Sequence, residues 1–280
     1  MQVEFIREGK IIKFLFWNIY KKNLIAPIIQ VITENKVDIC AFAECDILDA
    51  NSILFQLKNL GEDWKLIEIM PKGNLKLFSR QKINISVIKE EKHFSCYRVR
   101  NEEKTWLLNL VHLSSPYQTE EIARNMRAQN VSDVIRKIEE EVFGEDEFKS
   151  IIVGDFNLQP YSQGVAGVLG FNATMSVSNA RRNYRKIDGE KRYFYFNPMW
   201  KLMGDNKLVQ GTYYSDKDQQ DLSMFWYSFD EVLIRPYFIE KFNWEYFDVI
   251  ERTNDYTFID RNKINKIVYS DHLPLKFEII

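Results

Sequence analysis

Four apolar runs along the chain stop abruptly at a single polar residue, and they organise the reading of everything between them. Ile11 to Asn18 (IIKFLFWN), Val37 to Ala43 before Glu44, Trp106 to His112 (WLLNLVH) and Ser150 to Asp155 are rich in β-branched and aromatic residues. Such runs predict buried strands. Between them the period lengthens to that of a helix. Leu24 to Asn35 has helical spacing with Pro27 acceptable in a first turn, and Asp46 to Leu60 continues to Gly61 as its C-terminal cap. From Trp64 to His112 the pattern breaks into short strands (WKLIEIM, LKLFSR, NISVIK, HFSCYRV, WLLNLVH) separated by Gly, Asn, Glu and Lys, which predicts a meander of hairpins. Gln118 to Phe143 is the longest expected helix, with Ile122, Met126, Val134, Ile138 and Val142 at helical intervals. Residues 161 to 228 show no sustained period. Phe229 to Pro236, Phe242 to Ile250 and Leu273 to Ile280 again read as strands. Strands with helices inserted in both halves predict a layered α/β arrangement, two packed sheets flanked by helices.

Composition narrows the setting. In 280 residues, 45% hydrophobic and 28% charged, no Gly/Ser/Pro-rich or low-complexity stretch divides the chain, so one domain over residues 1–280 is expected. A net charge of −2 gives no global case for a polyanionic partner; affinity for nucleic acid or phosphate must come from a local patch. Cys40, Cys45 and Cys96 lack the spacing of a zinc site or a disulfide framework. Met1 to Lys13 has scattered charges and no apolar signal-peptide core, and no apolar run reaches the ~18 residues of a spanning helix. A soluble, cytoplasmic protein with no membrane span and no obligate protein partner is expected.

The richest stretch is Ser150-Ile151-Ile152-Val153-Gly154-Asp155-Phe156-Asn157. Alternate strand residues share a face, so Asp155 and Asn157 point together while Phe156 packs away. The carboxylate can take a proton from water and the carboxamide can hold an anionic oxygen. The same residues also suit a strand end followed by an Asx turn. Glu44 and Asn18 offer hard oxygens that suit Mg²⁺ or Mn²⁺ better than zinc. Asp271 and His272 place a carboxylate beside an imidazole before the last strand, and Asp230 enters another apolar run. His112, at a strand end, suits either a packing role or catalysis. Polar residues at several strand ends converge when the strands share a sheet rim.

Six islands in order, Trp17-Asn18, Ala43-Glu44, Asn109-Leu110-Val111-His112, Gly154-Asp155-Phe156-Asn157, Phe229-Asp230-Glu231-Val232 and Ser270-Asp271-His272, resemble the endonuclease/exonuclease/phosphatase superfamily and span nearly the whole chain. No single island is specific; the ordered set is. The resemblance implies a deoxyribonuclease I-like four-layered α/β sandwich, with two packed, mainly antiparallel sheets, and metal-dependent cleavage of phosphate esters. It assigns Glu44 to Mg²⁺ or Mn²⁺, with Asn18 in support and Asp271 as a metal-site or orienting acid. Asp155 would activate water, Asn157 would hold a phosphate oxygen or the nucleophile, and His272 would contact the scissile phosphate. Asp230 would orient an imidazole, and His112 would help protonate the leaving oxygen. Tyr20 stands where many nuclease members carry a further acid.

Arg181, Arg182, Tyr184, Arg185, Lys191 and Arg192 lie in a stretch that interleaves basic and aromatic residues up to Trp200. It reads equally as a substrate-binding loop that attracts phosphates and stacks bases, or as strands whose aromatic residues pack inward. Glu139 to Glu141 read as a solvated face. The resulting expectation is a phosphodiesterase or nuclease acting on DNA or RNA. Its alternatives are an enzyme for a phosphorylated lipid, sugar or small nucleotide, and a catalytically silent binding module, which the intact site residues oppose.

Overall fold

The computed structural model describes residues 11–67, 74–101, 104–117, 119–144, 147–204, 208–216 and 224–280. Most of the Met1 to Lys13 segment, Gln118, and the Glu68 to Met70 end of one expected strand lie outside them. The apolar runs become strands with little change of boundary. β1 (Ile12–Asn18) leads through α1 (Ile25–Glu34) to the parallel strand β2 (Ile39–Ala43). After α2 (Ala50–Asn59), the antiparallel strands β3 (Trp64–Ile67) and β4 (Leu75–Arg80) extend this sheet. The meander continues as β5 (Asn84–Glu91), β6 (Phe94–Asn101) and β7 (Lys104–His112). α3 (Glu121–Phe143) then returns the chain to β8 (Ser150–Asp155), parallel to β7.

The next elements are short: β9 (Ala173–Thr174), the hairpin of β10 (Tyr184–Ile187) with β11 (Glu190–Tyr193), β12 (Tyr195–Phe196), and the pair β13 (Tyr213–Tyr214) and β14 (Trp226–Tyr227). β15 (Asp230–Ile234) follows, then β16 (Asp248–Val249), the hairpin of β17 (Ile259–Asp260) with β18 (Lys263–Ile264), and β19 (Leu275–Ile279). One mixed sheet has the order β16-β19-β1-β2-β4-β3, and the other β5-β6-β7-β8-β15-β12-β9.

The alternation of side chains explains why these strands are apolar throughout. In β7 and β8, Leu107, Val111 and Ile152 pack with Ala128, Val131, Ile135 and Ile138 of α3. Their neighbours Leu108, Leu110, Ile151 and Val153 join the core shared with β1 and β2. A strand covered on both faces needs apolar residues at every position. Phe14 of β1 stacks on Phe277 at 4.5 Å and meets Trp106 of β7 edge-on at 6.0 Å, joining the two sheets. α1 buries Pro27, Ile28, Ile29, Val31 and Ile32, and helices flank the paired sheets.

Four expectations change. α2 starts later than Asp46, because Asp49 caps it by accepting from the backbone N–H groups of Asn51 and Ser52 at 3.0 and 3.2 Å. In α3, Ile138 is buried, but Ile122 and Met126 are 74% and 58% exposed. The first turns of that helix border a cavity through Glu121 and Arg124 instead of covering the sheet. Glu139, expected on a solvated face, is fully buried and paired with Arg235. Of Phe242 to Ile250 only Asp248–Val249 is a strand. Asn243 Oδ1 accepts from the N–H groups of Glu245 and Tyr246 at 3.0 and 3.3 Å and so turns the chain.

Candidate active site

Strand register creates the first row of the site. His112 on β7 lies opposite Asp155 on β8, and Asp155 lies opposite Asp230 on β15. The glycine before Asp155 has a steric reason: a Cβ on Gly154 would sit 1.9 Å from the carbonyl oxygen of Val111. Only glycine lets β8 approach β7 so closely there. Asp155 is buried; its Oδ1 accepts from Asn157 N at 2.9 Å, and its Oδ2 accepts from Asn157 Nδ2 and Asn18 Nδ2, each at 3.0 Å. The bond from Asn157 N is an Asx turn. The turn and the presentation of the carboxylate are therefore one arrangement. Asn157 and Glu44 both adopt left-handed backbone, at φ 50° and 49°. For residues other than glycine this conformation costs on the order of 1 kcal/mol or more and is concentrated at functional sites.

The other sheet contributes Asn18 and Glu44. Asn18 Nδ2 donates to Asp155 and, at 3.4 Å, to Glu44 Oε1, while its Oδ1 accepts from Tyr20 N at 3.0 Å. In this orientation Asn18 bridges two carboxylates through its nitrogen and turns its oxygen toward the backbone. Ser270 ties the end of β1 to the segment that enters its neighbour β19: its hydroxyl donates to Asn18 O at 2.5 Å and accepts from His272 N at 3.0 Å. Trp17 Nε1 donates to His272 O at 2.9 Å.

The imidazole of His272 is held by Nδ1, 2.7 Å from Asp230 Oδ2, and the Tyr213 ring lies 4.9 Å away. Thr212 Oγ1 accepts from Asp230 N at 3.0 Å. Ligand atoms of Asp155, Asp230 and His272 all lie within 4.8 Å of one another. Burial alone would push the His272 pKa down, yet the field and hydrogen bond of Asp230, with Asp155 and Asp271, raise it to about 10. Burial, opposed by His272, pushes Asp155 up to about 7. Burial and the neighbouring His272 push His112 down to about 4. His112 Nε2 is 3.8 Å from Glu44 Oε1 and 3.9 Å from Asp155 Oδ2. One imidazole is thus cationic at neutral pH and the other neutral, the kind of separation by environment that assigns different tasks to like groups.

These groups open into a cavity of about 410 Å³ lined by Glu44, Asp155, Asn157, Asp271 and His272, together with Arg124, Gln159 and several tyrosines. Its donor set fits a hard divalent cation. Glu44 faces the cavity with only the long contacts from Asn18 and His112, and Asp271 Oδ1 is buried without a hydrogen-bond partner.

Arg181, Arg182, Tyr184, Arg185, Lys191 and Arg192 are absent from the described lining. Their hairpin leads into β12, whose Phe196 pairs with Ile234, at the opposite end of β15 from Asp230. Arg181 pairs with Glu240, Arg185 lies over the Phe194 ring at 5.8 Å, and Lys191 lies over Tyr184 at 5.3 Å. Tyr193, Phe194 and Phe196 are buried, as the inward-packing reading of this stretch requires. Sequence reasoning missed Arg124, which donates to Asn157 O, as well as Thr212, Tyr213 and the hydroxyl of Ser270. Of these, only Ser270 stood within a recognisable island.

No protein-family model matches the sequence, and no curated protein matches it. Solved structures do match its fold. TDP2 from D. rerio, complexed with single-strand DNA product, aligns over 97% of this chain and 100% of its own with TM-score 0.54 and 13% identity. The endonuclease domain of TRAS1, a telomere-specific non-LTR retrotransposon, aligns over 96% and 98% with TM-score 0.53 and 12% identity. An endonuclease/exonuclease/phosphatase family protein from Bacteroides thetaiotaomicron aligns over 96% and 98% with TM-score 0.53 and 13% identity. The chain therefore has the α/β fold of the endonuclease/exonuclease/phosphatase superfamily, with two mixed sheets flanked by helices. This is the deoxyribonuclease I-like fold that the ordered islands implied.

Proposed function

We propose that the protein is a divalent-metal-dependent phosphoesterase, acting as a phosphodiesterase or nuclease on DNA or RNA. The observation that carries this reading is the row of half-buried His112 and buried Asp155 and Asp230, with His272 clamped on Asp230 and the carboxylates of Glu44 and Asp271 beside it. Neighbours of the same fold are described as an endonuclease domain and as a complex with a DNA product, which supports the substrate class. The three free, buried cysteines suit a reducing, cytoplasmic setting. No helix among the described residues is long and apolar enough to cross a membrane.

In this reading Glu44 and Asp271 would hold Mg²⁺ or Mn²⁺, which would supply positive charge to the phosphoryl oxygens. Asp155, with a pKa near the working pH, takes a proton from water as the water oxygen bonds to phosphorus. Asn157 and Asn18 fix that carboxylate. The ester P–O bond breaks with both electrons on the departing oxygen, which is protonated from solvent. His112, neutral in the free protein, offers that oxygen a hydrogen bond, and its part in protonation requires the anionic phosphate beside it to raise its proton affinity. Cationic His272, aligned by Asp230 through Nδ1, holds a phosphoryl oxygen through Nε2.

Hydrolysis of bis(p-nitrophenyl) phosphate and of DNA and RNA, with and without EDTA, tests the reading. Activity is expected with Mg²⁺ or Mn²⁺ and is lost on chelation and in folded His272→Ala protein. Full activity in that variant sinks the mechanism. A small phosphorylated substrate is the second reading, favoured by the presence of a single guanidinium in the described cavity lining.

A further inference from the structure

Away from the charged groups the cavity changes character. Tyr20, Tyr117, Tyr161, Tyr213 and Tyr227 and the thioether of Met224 form much of its wall. Tyr20, Tyr117 and Tyr161 are 49%, 67% and 48% exposed. Tyr213 lies 6.1 Å from Tyr227 and 4.9 Å from the His272 ring, so the aromatic surface begins at the imidazole assigned to the phosphate. Charge is distributed in the opposite sense. Glu44, Glu121, Asp155 and Asp271 line the cavity, and among the described lining residues Arg124 is the only arginine or lysine. A duplex presents one phosphate per ~1.7 Å of axis and is held by rows of cations. This cavity has no such row. Aromatic faces instead hold single unstacked bases, and a volume of this size suits one nucleotide-sized ligand.

Gln159 adds a polar requirement. It lines the cavity, is 7% exposed, and is fixed by the bond from Ser228 N to its Oε1 at 3.1 Å, yet its buried Nε2 has no hydrogen-bond partner. Buried donors are nearly always satisfied, so an unmet one at a cavity wall calls for an acceptor on the ligand. A plain phenyl ring has none; the carbonyl and ring-nitrogen edge of a nucleobase has several.

We infer that this cavity binds a single unpaired nucleobase carried on the scissile phosphate ester, with the base against the tyrosines and an acceptor on its edge facing Gln159. The placement of the phosphate rests on the phosphoesterase reading above. The base pocket itself can be tested without turnover.

Thymidine 5′-monophosphate and 2-deoxyribose 5-phosphate, titrated calorimetrically into the protein in Ca²⁺ buffer, differ in the presence of the base. The nucleotide is expected to bind at least about tenfold more tightly, in keeping with base stacking on aromatic side chains. Tyr161→Ala and Gln159→Leu should each lower that ratio by about fivefold or more, whereas Tyr161→Phe should keep it. Equal affinities, or no binding of either compound up to millimolar concentration, overturn the inference. Hydrolysis of bis(p-nitrophenyl) phosphate, measured in parallel, separates the two readings. Protein active on that ester but blind to the base lacks the pocket; protein inactive on it that still prefers the nucleotide has the pocket without the phosphoesterase chemistry.

Discussion

The two ends of β8 and β15 treat buried charge in opposite ways. At one end Arg235 Nε donates to Glu139 Oε1 at 2.9 Å, Arg235 Nη1 donates to Phe194 O at 3.0 Å, and the guanidinium lies 3.6 Å from the Tyr195 ring centre. Glu139 also accepts from Tyr195 and from Ser150, the first residue of β8. Its two oxygens are both engaged and the pair is sealed. At the other end Asp230 Oδ1 and Asp271 Oδ1 have no hydrogen-bond partner, Asp155 and His112 are pushed away from their ordinary pKa values, and Asp155, Asp271 and His272 line a cavity. A buried ion pair that serves architecture is closed and satisfied. One that serves chemistry leaves atoms unmet for what is to bind.

Substitutions at each end should separate these roles. The largest effect is expected for Asp155→Ala, which should reduce hydrolysis by about 10²- to 10⁴-fold while the protein still unfolds cooperatively. Activity within tenfold of the parent would break the contrast. Next, Glu139→Ala should lower unfolding free energy by about 3–5 kcal/mol, since it strands a buried guanidinium, without changing turnover per folded molecule. Urea titration alongside an activity assay reads both quantities.

A smaller effect concerns pH. Unfolded His112 takes up a proton near the ordinary imidazole value of 6.5, folded His112 only near 4. Stability present above pH 6.5 is therefore lost as the pH falls through 4, by on the order of 3 kcal/mol for this group. His112→Gln should flatten that part of the stability profile, and an unchanged slope in urea titrations at pH 7, 5.5 and 4.5 would contradict the assignment. The smallest effect is expected for Arg185→Ala and Lys191→Ala, on the hairpin at the far end. Each should change hydrolysis less than about twofold, and a larger loss would show that this end also meets substrate.

The strands that build the site were legible because burial on both faces forces unbroken apolar runs, and their polar last residues stand out against them. Asn18, Glu44, His112, Asp155 and Asp230 are brought together as strand ends, with His272 just before β19. What escaped depends on partners distant in sequence. Glu139 looks like any helical surface acid until Arg235, 96 residues later, is placed beside it. The 181–193 stretch has the composition of a nucleic-acid loop, but its direction is set by the pairing of Phe196 with Ile234, which local periodicity does not encode. The pocket tyrosines are separated by long irregular segments, and nothing in their spacing marks them as one wall.

The Ser270 hydroxyl that joins Asn18 to His272 spans 252 residues of chain, and the Trp17 to His272 bond spans 255. These closures come from nearly opposite ends of the polypeptide, so the centre cannot form in a nascent chain or a half-folded intermediate in which β19 has not yet docked on β1. Contacts of such high order are made late, because loop closure opposes them until the intervening structure exists. Recovery of activity during refolding should therefore trail the recovery of helical signal, making turnover a reporter of the last docking step.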